Sequence, residues 1–233
     1  MANFFNLTLD TTGPASPSIS LAAGATYATA SLLTATIGTT DAPTTGFQMK
    51  FWGDIDLAWA KANGVVGAGA TTVLEADGLW VTYATSKQLQ LTTPDGVKTV
   101  NCKIRDDVYN ESAQISDSIT LDTTKPIVSI TGPDVPKVSK QTGKCTAAFS
   151  FTVDTIFTEY KVKVVPSTGS AENTGTTILT AHGSTFMAAT GSFPAATAIS
   201  CTINGTDLED ASTGDAAKII KVFVKDDAGN WSV

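Results

Sequence analysis

The chain has 233 residues, 22 Asp and Glu against 15 Lys and Arg, a net charge of −7, and 38 threonines to a single arginine, Arg105. With 42% apolar and 16% charged residues, it is too apolar for charge-driven disorder, too poor in charged helix formers for a helical bundle, and without the cation clusters that carry nucleic-acid affinity. No nucleic-acid partner is expected, and no stretch approaches the roughly 20 apolar residues of a membrane-spanning helix.

The first residues, Met1 to Asp10, hold no basic region followed by an apolar one, so an export signal is not expected and synthesis in a cytoplasm is. Phe4 and Phe5 stand as the large apolar residues of a short N-terminal arm, suited either to docking on a neighbouring subunit or to packing back on their own domain. Leu7-Thr8-Leu9-Asp10-Thr11-Thr12-Gly13-Pro14 then introduces a phrase that recurs as Ile119-Thr120-Leu121-Asp122-Thr123-Thr124-Lys125-Pro126, a shift of 112 residues. Apolar and polar residues alternate with period two at Phe47, Met49 and Phe51, and again at Val100, Cys102 and Ile104, which predicts half-buried strands. Between them, residues 54–79 form an Ala/Gly-rich run that reads as a long inserted loop.

A second match, Lys98 to Asp107 against Lys218 to Asp227 at a shift of 120, completes an internal repeat of two units divided near Asp117, residues 1–117 and 118–233. In the second unit Cys145, Ala147, Phe149, Phe151 and Val153 share one strand face. Tyr160, Val162 and Val164 alternate with Lys161 and Lys163, and residues 166–193 interrupt the pattern as a second long loop. Short strands between Gly, Pro, Asp and Thr turns, at roughly 100 residues per unit, predict an all-β protein of two tandem Ig-like antiparallel β-sandwich domains.

Few residues offer chemistry. The one histidine, His182, lies in a polar turn-rich segment and reads as a solvated loop residue; no nucleophile elbow, zinc-binding helix or phosphate loop occurs, so no enzyme is expected. Asp54 and Asp56 could pair for acid–base work, though an exposed turn accounts for them equally. Asp106, Asp107, Asn110 and Asp122 gather hard oxygen ligands where one unit meets the next and form a candidate calcium site, although the spacing lacks the order of an EF-hand loop and Asp/Asn clusters also serve turns. No other cofactor is expected. Cys102, Cys145 and Cys201 cannot all pair within one chain; Cys145 and Cys201 both fall on inward faces, as buried thiols or as a bridge. Trp52, Trp59, Trp80 and Tyr83 could form a carbohydrate platform or a core. Trp231 follows the last turn as either a cap contact or an exposed anchor for a partner.

The opening Leu-Asp-Thr-Thr-x-Pro and the closing Lys225-Asp226-Asp227-Ala228-Gly229-Asn230-Trp231-Ser232 resemble the bounding motifs of bacterial Ig-like repeats, found in tandem in surface adhesins and bacteriophage structural proteins. The first unit departs from that pattern at Val108-Tyr109-Asn110, in place of Ala-Gly-Asn, and in its inserted residues between Trp52 and Trp80. The resemblance implies a module acting through surfaces, with junction calcium a property of related adhesin repeats. Together with the missing export signal it leads to a non-enzymatic bacteriophage virion protein, assembled in the host cytoplasm as a decoration, collar, tail or fibre component in multiple copies. Its partners would be capsid, collar or tail proteins, and host-surface carbohydrate in an adhesive role. The alternative is an Ig-like module of a bacterial surface adhesin.

Overall fold

The computed structural model describes residues 5–233, and the chain separates into two compact units that meet between Thr123 and Thr124. Unit 1 contains β1 (Ser18–Leu21), β2 (Tyr27–Ala28), β3 (Leu32–Gly38), β4 (Gln48–Gly53), α1 (Leu57–Ala62), β5 (Val81–Thr82), β6 (Ser86–Gln90), β7 (Gly96–Arg105) and β8 (Ile115–Leu121). Unit 2 contains β9 (Val128–Thr131), β10 (Thr146–Val153), β11 (Phe157–Val165), β12 (Thr176–Thr177), β13 (Ala188–Phe193), β14 (Ile199–Asn204), α2 (Gly205–Ala211) and β15 (Ile219–Asp226).

In unit 1 a sheet ordered β1-β3-β6 faces one ordered β2-β8-β7-β4-β5, antiparallel except where β2 runs parallel to β8. The alternation seen in the sequence places Met49, Phe51, Val100, Cys102 and Ile104 in the core between the sheets, against Leu33, Ala35, Ile37, Leu89 and Leu91 from the facing layer. Each large apolar side chain removed from water contributes about 1.5–3 kcal/mol. Unit 2 repeats the plan with β9-β10-β14 facing β11, which carries β12 and β13 on one edge and β15 on the other. Its centre is aromatic: Phe157 stacks on Phe193 at 4.9 Å, and Tyr160 meets Phe151 edge-on at 5.3 Å. Such pairs add about 0.5–1.5 kcal/mol each beyond burial. Both units are Ig-like sandwiches, antiparallel apart from the short β2–β8 pair.

Three expectations need correction. The division lies at Thr123, not Asp117, because Ile115–Leu121 pairs along β7 and so closes the first sandwich instead of opening the second. Residues 54–79 are no loose loop: Gly53, at φ 114 with its Cα against the Thr99 carbonyl, turns the chain out of β4. Asp56 then caps α1 by accepting the Trp59 N–H at 2.8 Å, and Ile55, Ala60, Val65, Val66 and Val73 pack into the core. Likewise residues 166–193 hold β12 and β13 and bury Ile178 and Met187. Both insertions read as loops because Ala and Gly dilute their apolar period, yet each supplies core.

Candidate functional site

The two modules share one turn, after β7 in unit 1 and after β15 in unit 2. In unit 1 the Asp106 Oδ1 accepts the backbone N–H of Val108 at 2.9 Å and of Asn110 at 2.8 Å, while Oδ2 accepts the Asn110 side-chain amide at 2.9 Å. In unit 2 the Asp226 Oδ1 accepts the N–H groups of Gly229 and Asn230, both at 2.8 Å. Beyond each turn a serine bonds back to the strand: Ile104 N–H to Ser112 Oγ at 3.0 Å, and Val224 N–H to Ser232 Oγ at 3.0 Å. This is the geometry that the shared Asp-Asp-x-x-Asn-x-Ser pattern encodes: a short carboxylate acceptor folded over its own backbone donors.

The same bonds describe what the four junction residues do. Asp106 is buried and Asn110 is bound to it; Asp122 donates its N–H to the Ala28 carbonyl at 2.9 Å, and Asp107 is exposed. Among the described residues, the carboxylates of Asp106, Asp107 and Asp122 do not form a group of three within 4.8 Å, the arrangement that His182, Asp207 and Asp210 have. That trio is itself architectural. Asp207 is fully buried and accepts the backbone N–H groups of His182 and Ser184 at 2.8 Å each, tying α2 to the loop between β12 and β13. Burial pushes its carboxyl upward, but the hydrogen bonds from Ser184 and His182 outweigh that and hold it below the ordinary range. His182 itself is exposed, with Nε2 3.4 Å from Asp210.

The outer face of β4 and β7 carries an ordered set of ion pairs and cation–ring contacts. The Arg105 guanidinium lies 4.4 Å from the Trp80 ring and 4.2 Å from the Tyr109 ring, with its Nε donating to Gln48 Oε1 at 2.7 Å. Beside it Glu75 receives Lys103 at 2.7 Å and Lys50 at 3.6 Å, and the hydrogen bond from Lys103 holds the Glu75 carboxyl below its usual value. Unit 2 has the counterpart: Lys161 and Lys225 sit over the Trp231 ring at 4.7 and 5.6 Å and bridge to Glu159. Sequence reasoning missed both stacks, because side chains on alternate strand residues meet only once the register of neighbouring strands is known.

The remaining candidates fall into place. Trp231 is half-buried, with the ammonium groups of Lys161 and Lys225 over its ring. Trp52 is buried, Trp59 and Tyr83 pack on the core, and Trp80 stacks with cations, so the four aromatics share no exposed platform. Asp54 Oδ2 accepts the Thr99 N–H at 2.8 Å and Asp56 caps α1, so neither is set against the other. Cys102 and Cys201 are buried; Cys145 is half-buried and precedes β10, while Cys201 lies opposite Phe149, so no bridge forms. Phe4 lies outside the described residues. Phe5 is exposed, in company with Leu7 and Leu9.

No family model matches the chain, and no curated protein sequence matches it. Among solved structures it is similar to the fibronectin(III)-like modules of Clostridium thermocellum CbhA, at 11% identity and a TM-score of 0.42 over 93% of this chain and 90% of that one. It is also similar to Escherichia coli alpha-2-macroglobulin activated by porcine elastase, at 10% identity and a TM-score of 0.33, with 85% of this chain matching 19% of that one. A third is chitinase ChiA74 from Bacillus thuringiensis, at 13% identity and a TM-score of 0.29, with 93% of this chain matching 30% of that one.

Proposed function

We propose that the chain is a non-enzymatic structural and binding module, and that it works as a component of a bacteriophage virion. One observation supports the first part. Three of the five carboxylates that the sequence singles out for chemistry, Asp54, Asp56 and Asp106, accept backbone N–H groups of their own module, as do Asp207 and Asp226. Groups held in this way build turns and caps, and what the modules offer to the outside is surface. Support for the virion comes from the tandem of two Ig-like sandwiches and from the resemblance of their bounding motifs to bacteriophage structural repeats. In that setting the contacts would be with capsid, collar or tail proteins, and with host-surface carbohydrate.

Peptide mass spectrometry on gradient-purified particles from the source culture tests this. The expected result is the chain at a fixed ratio to the major capsid protein, a ratio that also separates a decoration from a collar or tail ring. Its absence from particles, with presence on bacterial cells, would overturn the virion reading in favour of a surface adhesin module.

A further inference from the structure

The repeat leaves one strand of the second sandwich unfilled. In unit 1, β7 has β4 on one edge and β8 on the other, in the register Gly96↔Leu121 to Cys102↔Ile115. The counterpart of β7 is β15, fixed by the shift of 120 residues and by the matching Asp–Asn and Ser turn bonds. β15 pairs with β11 from Phe157↔Asp226 to Val165↔Ile219. Apart from the single bridge Lys225↔Trp231 that closes its turn, no strand among the described residues bonds to its other edge.

A segment with the sequence of β8 does exist in the chain. Leu7-Thr8-Leu9-Asp10-Thr11-Thr12 repeats Ile119 to Thr124 at a shift of 112 residues. Ile119 and Leu121 are 2% and 1% exposed in the first sandwich, whereas Leu7 and Leu9 are each 86% exposed, Phe5 is 85% exposed, and none belongs to a strand. A clasp also recurs in two halves. At the end of β8, Thr123 donates its N–H and Oγ1 to the Asp95 carboxylate at 2.8 and 2.9 Å. The same two shifts give Thr11 beside the arm and Asp215 beside β15.

We propose that Phe5–Leu9 of one copy adds to the open edge of β15 in a second copy as its missing strand. It runs antiparallel in the β7–β8 register, with Phe5 opposite Ile220 and Asn6 opposite Ile219 at the start of β15, and Leu7 opposite Lys218 in the non-strand segment just before it, which the arm draws into the strand. Leu7 and Leu9 take the buried places of Ile119 and Leu121, and Thr11 closes on Asp215 as Thr123 closes on Asp95. Backbone bonds supply the attachment, the apolar side chains its register, and both an unpaired edge and an exposed apolar arm are covered. Each copy gives one strand and receives one, so the contact is heterologous and builds a head-to-tail string. The arm's Asp10-Thr11-Thr12-x-Pro14 then leads into β1 as Asp122-Thr123-Thr124-x-Pro126 leads into β9, so the junction between copies repeats the junction within each. This holds whichever larger structure the chain serves.

The test is a cysteine pair in that register. Ser118 and Thr99, whose hydroxyls are 2.8 Å apart, correspond to Asn6 and Ile219. The full chain carrying Asn6→Cys and Ile219→Cys, with Cys145→Ser to remove the half-buried thiol, is oxidised and run on a denaturing gel without reductant. A ladder of dimers, trimers and higher multiples that collapses on reduction is expected, with each single-cysteine chain giving no more than a dimer. Adding Leu7→Asp and Leu9→Asp abolishes the ladder and leaves circular dichroism unchanged. Uncross-linked monomer, or a cross-link closed within one chain, overturns the proposal. Sedimentation of the unmodified chain gives a second reading: its mass at least doubles as concentration rises while that of the Leu7→Asp/Leu9→Asp chain does not, and equal monomer masses for both overturn the proposal as well.

Discussion

Asp106 holds Asn110 by two bonds, the backbone N–H on Oδ1 at 2.8 Å and the side-chain amide on Oδ2 at 2.9 Å. Asp226 holds the Asn230 N–H in the same way at 2.8 Å. Removing either carboxylate leaves donors of a partly buried turn without their acceptor, a loss of about 2 kcal/mol. Asp106→Ala is expected to weaken the first module and Asp226→Ala the second, read by denaturant-dependent hydrogen exchange resolved for each module. Since the Asp106 oxygens are turned toward backbone and amide donors, chelating calcium is expected to leave stability unchanged. An ion bound at 100 times its Kd would add about 2.7 kcal/mol; a fall of that size on adding EGTA, lost in the Asp106→Ala chain, would place calcium at Asp106.

Tyr109 occupies the position that Gly229 holds in the second module, and it shares the left-handed backbone, φ 70 against 101. A side chain there is strained by roughly 1–2 kcal/mol, and the stack of its ring on Arg105 at 4.2 Å offsets part of that. Two opposing effects of similar size predict a small net change for Tyr109→Gly in the natural chain, within about 1 kcal/mol. In an Arg105→Ala chain the stack is already gone, and the same glycine is expected to stabilise by about 1 kcal/mol. A double-mutant cycle by urea denaturation measures the difference, and equal effects in both backgrounds would show that the stack contributes nothing.

The sequence was legible where one physical rule acted alone. Val100, Cys102 and Ile104 alternate because β7 is buried on one face only, and the period of two survives any choice of neighbours. It was not legible where burial comes from across the sheet: Lys50 and Lys163 sit at outward positions yet are buried, one beside Trp52 and Trp80, the other beneath Glu172. Short helices escaped for a related reason. Asp56 and Asn204 cap α1 and α2, but with only six and seven residues behind them they look like turn residues. The module boundary was missed because a repeat has no intrinsic phase. Sequence matching at Leu7 and Ile119 cannot say whether that phrase opens a sandwich or closes one, and pairing with β7 decides it. A turn role is legible at Asp54 and Asp106 as one of two readings, but the backbone bonds of Asp207 were hidden, since a carboxylate that bonds backbone has the same letter as one that does chemistry.

Asp207 predicts an acid-sensitive second module. Its burial favours the neutral form, but hydrogen bonds from Ser184 and His182 favour the anion more strongly, so its carboxyl titrates below the ordinary range in the folded chain. The unfolded chain therefore takes up this proton first as pH falls. The stabilisation is fully present above the ordinary carboxylate pKa and is lost progressively as pH drops through the lowered one. Asp207→Asn keeps the size but forfeits charge-assisted bonds, a cost of about 2 kcal/mol near neutrality. Thermal melts from pH 7 down to pH 3 should show the gap between the two chains narrowing toward the acid end. A constant gap would mean that the charge has no part in holding the loop to α2.

The three thiols should differ in reactivity by their surroundings. Burial pushes Cys102 and Cys201 from an ordinary value near 9.0 up to about 12. At pH 8 that leaves roughly a thousandfold less thiolate than an open cysteine has, and the thiolate is the reacting form. Cys145, half-buried just before β10, has no such enclosure. Brief iodoacetamide treatment of the native chain is expected to label Cys145 alone, with Cys102 and Cys201 labelled only after denaturation. The sign for stability follows. Above the ordinary thiol pKa the unfolded chain gives up these protons while the folded chain retains them, so stability is intact below about pH 9 and declines toward pH 12. Cys102→Ala and Cys201→Ala each remove part of that alkaline decline, at the cost of a small cavity near neutral pH. Labelling of all three thiols at one rate in the native chain would show that the two sandwich cores open as readily as Cys145 is reached.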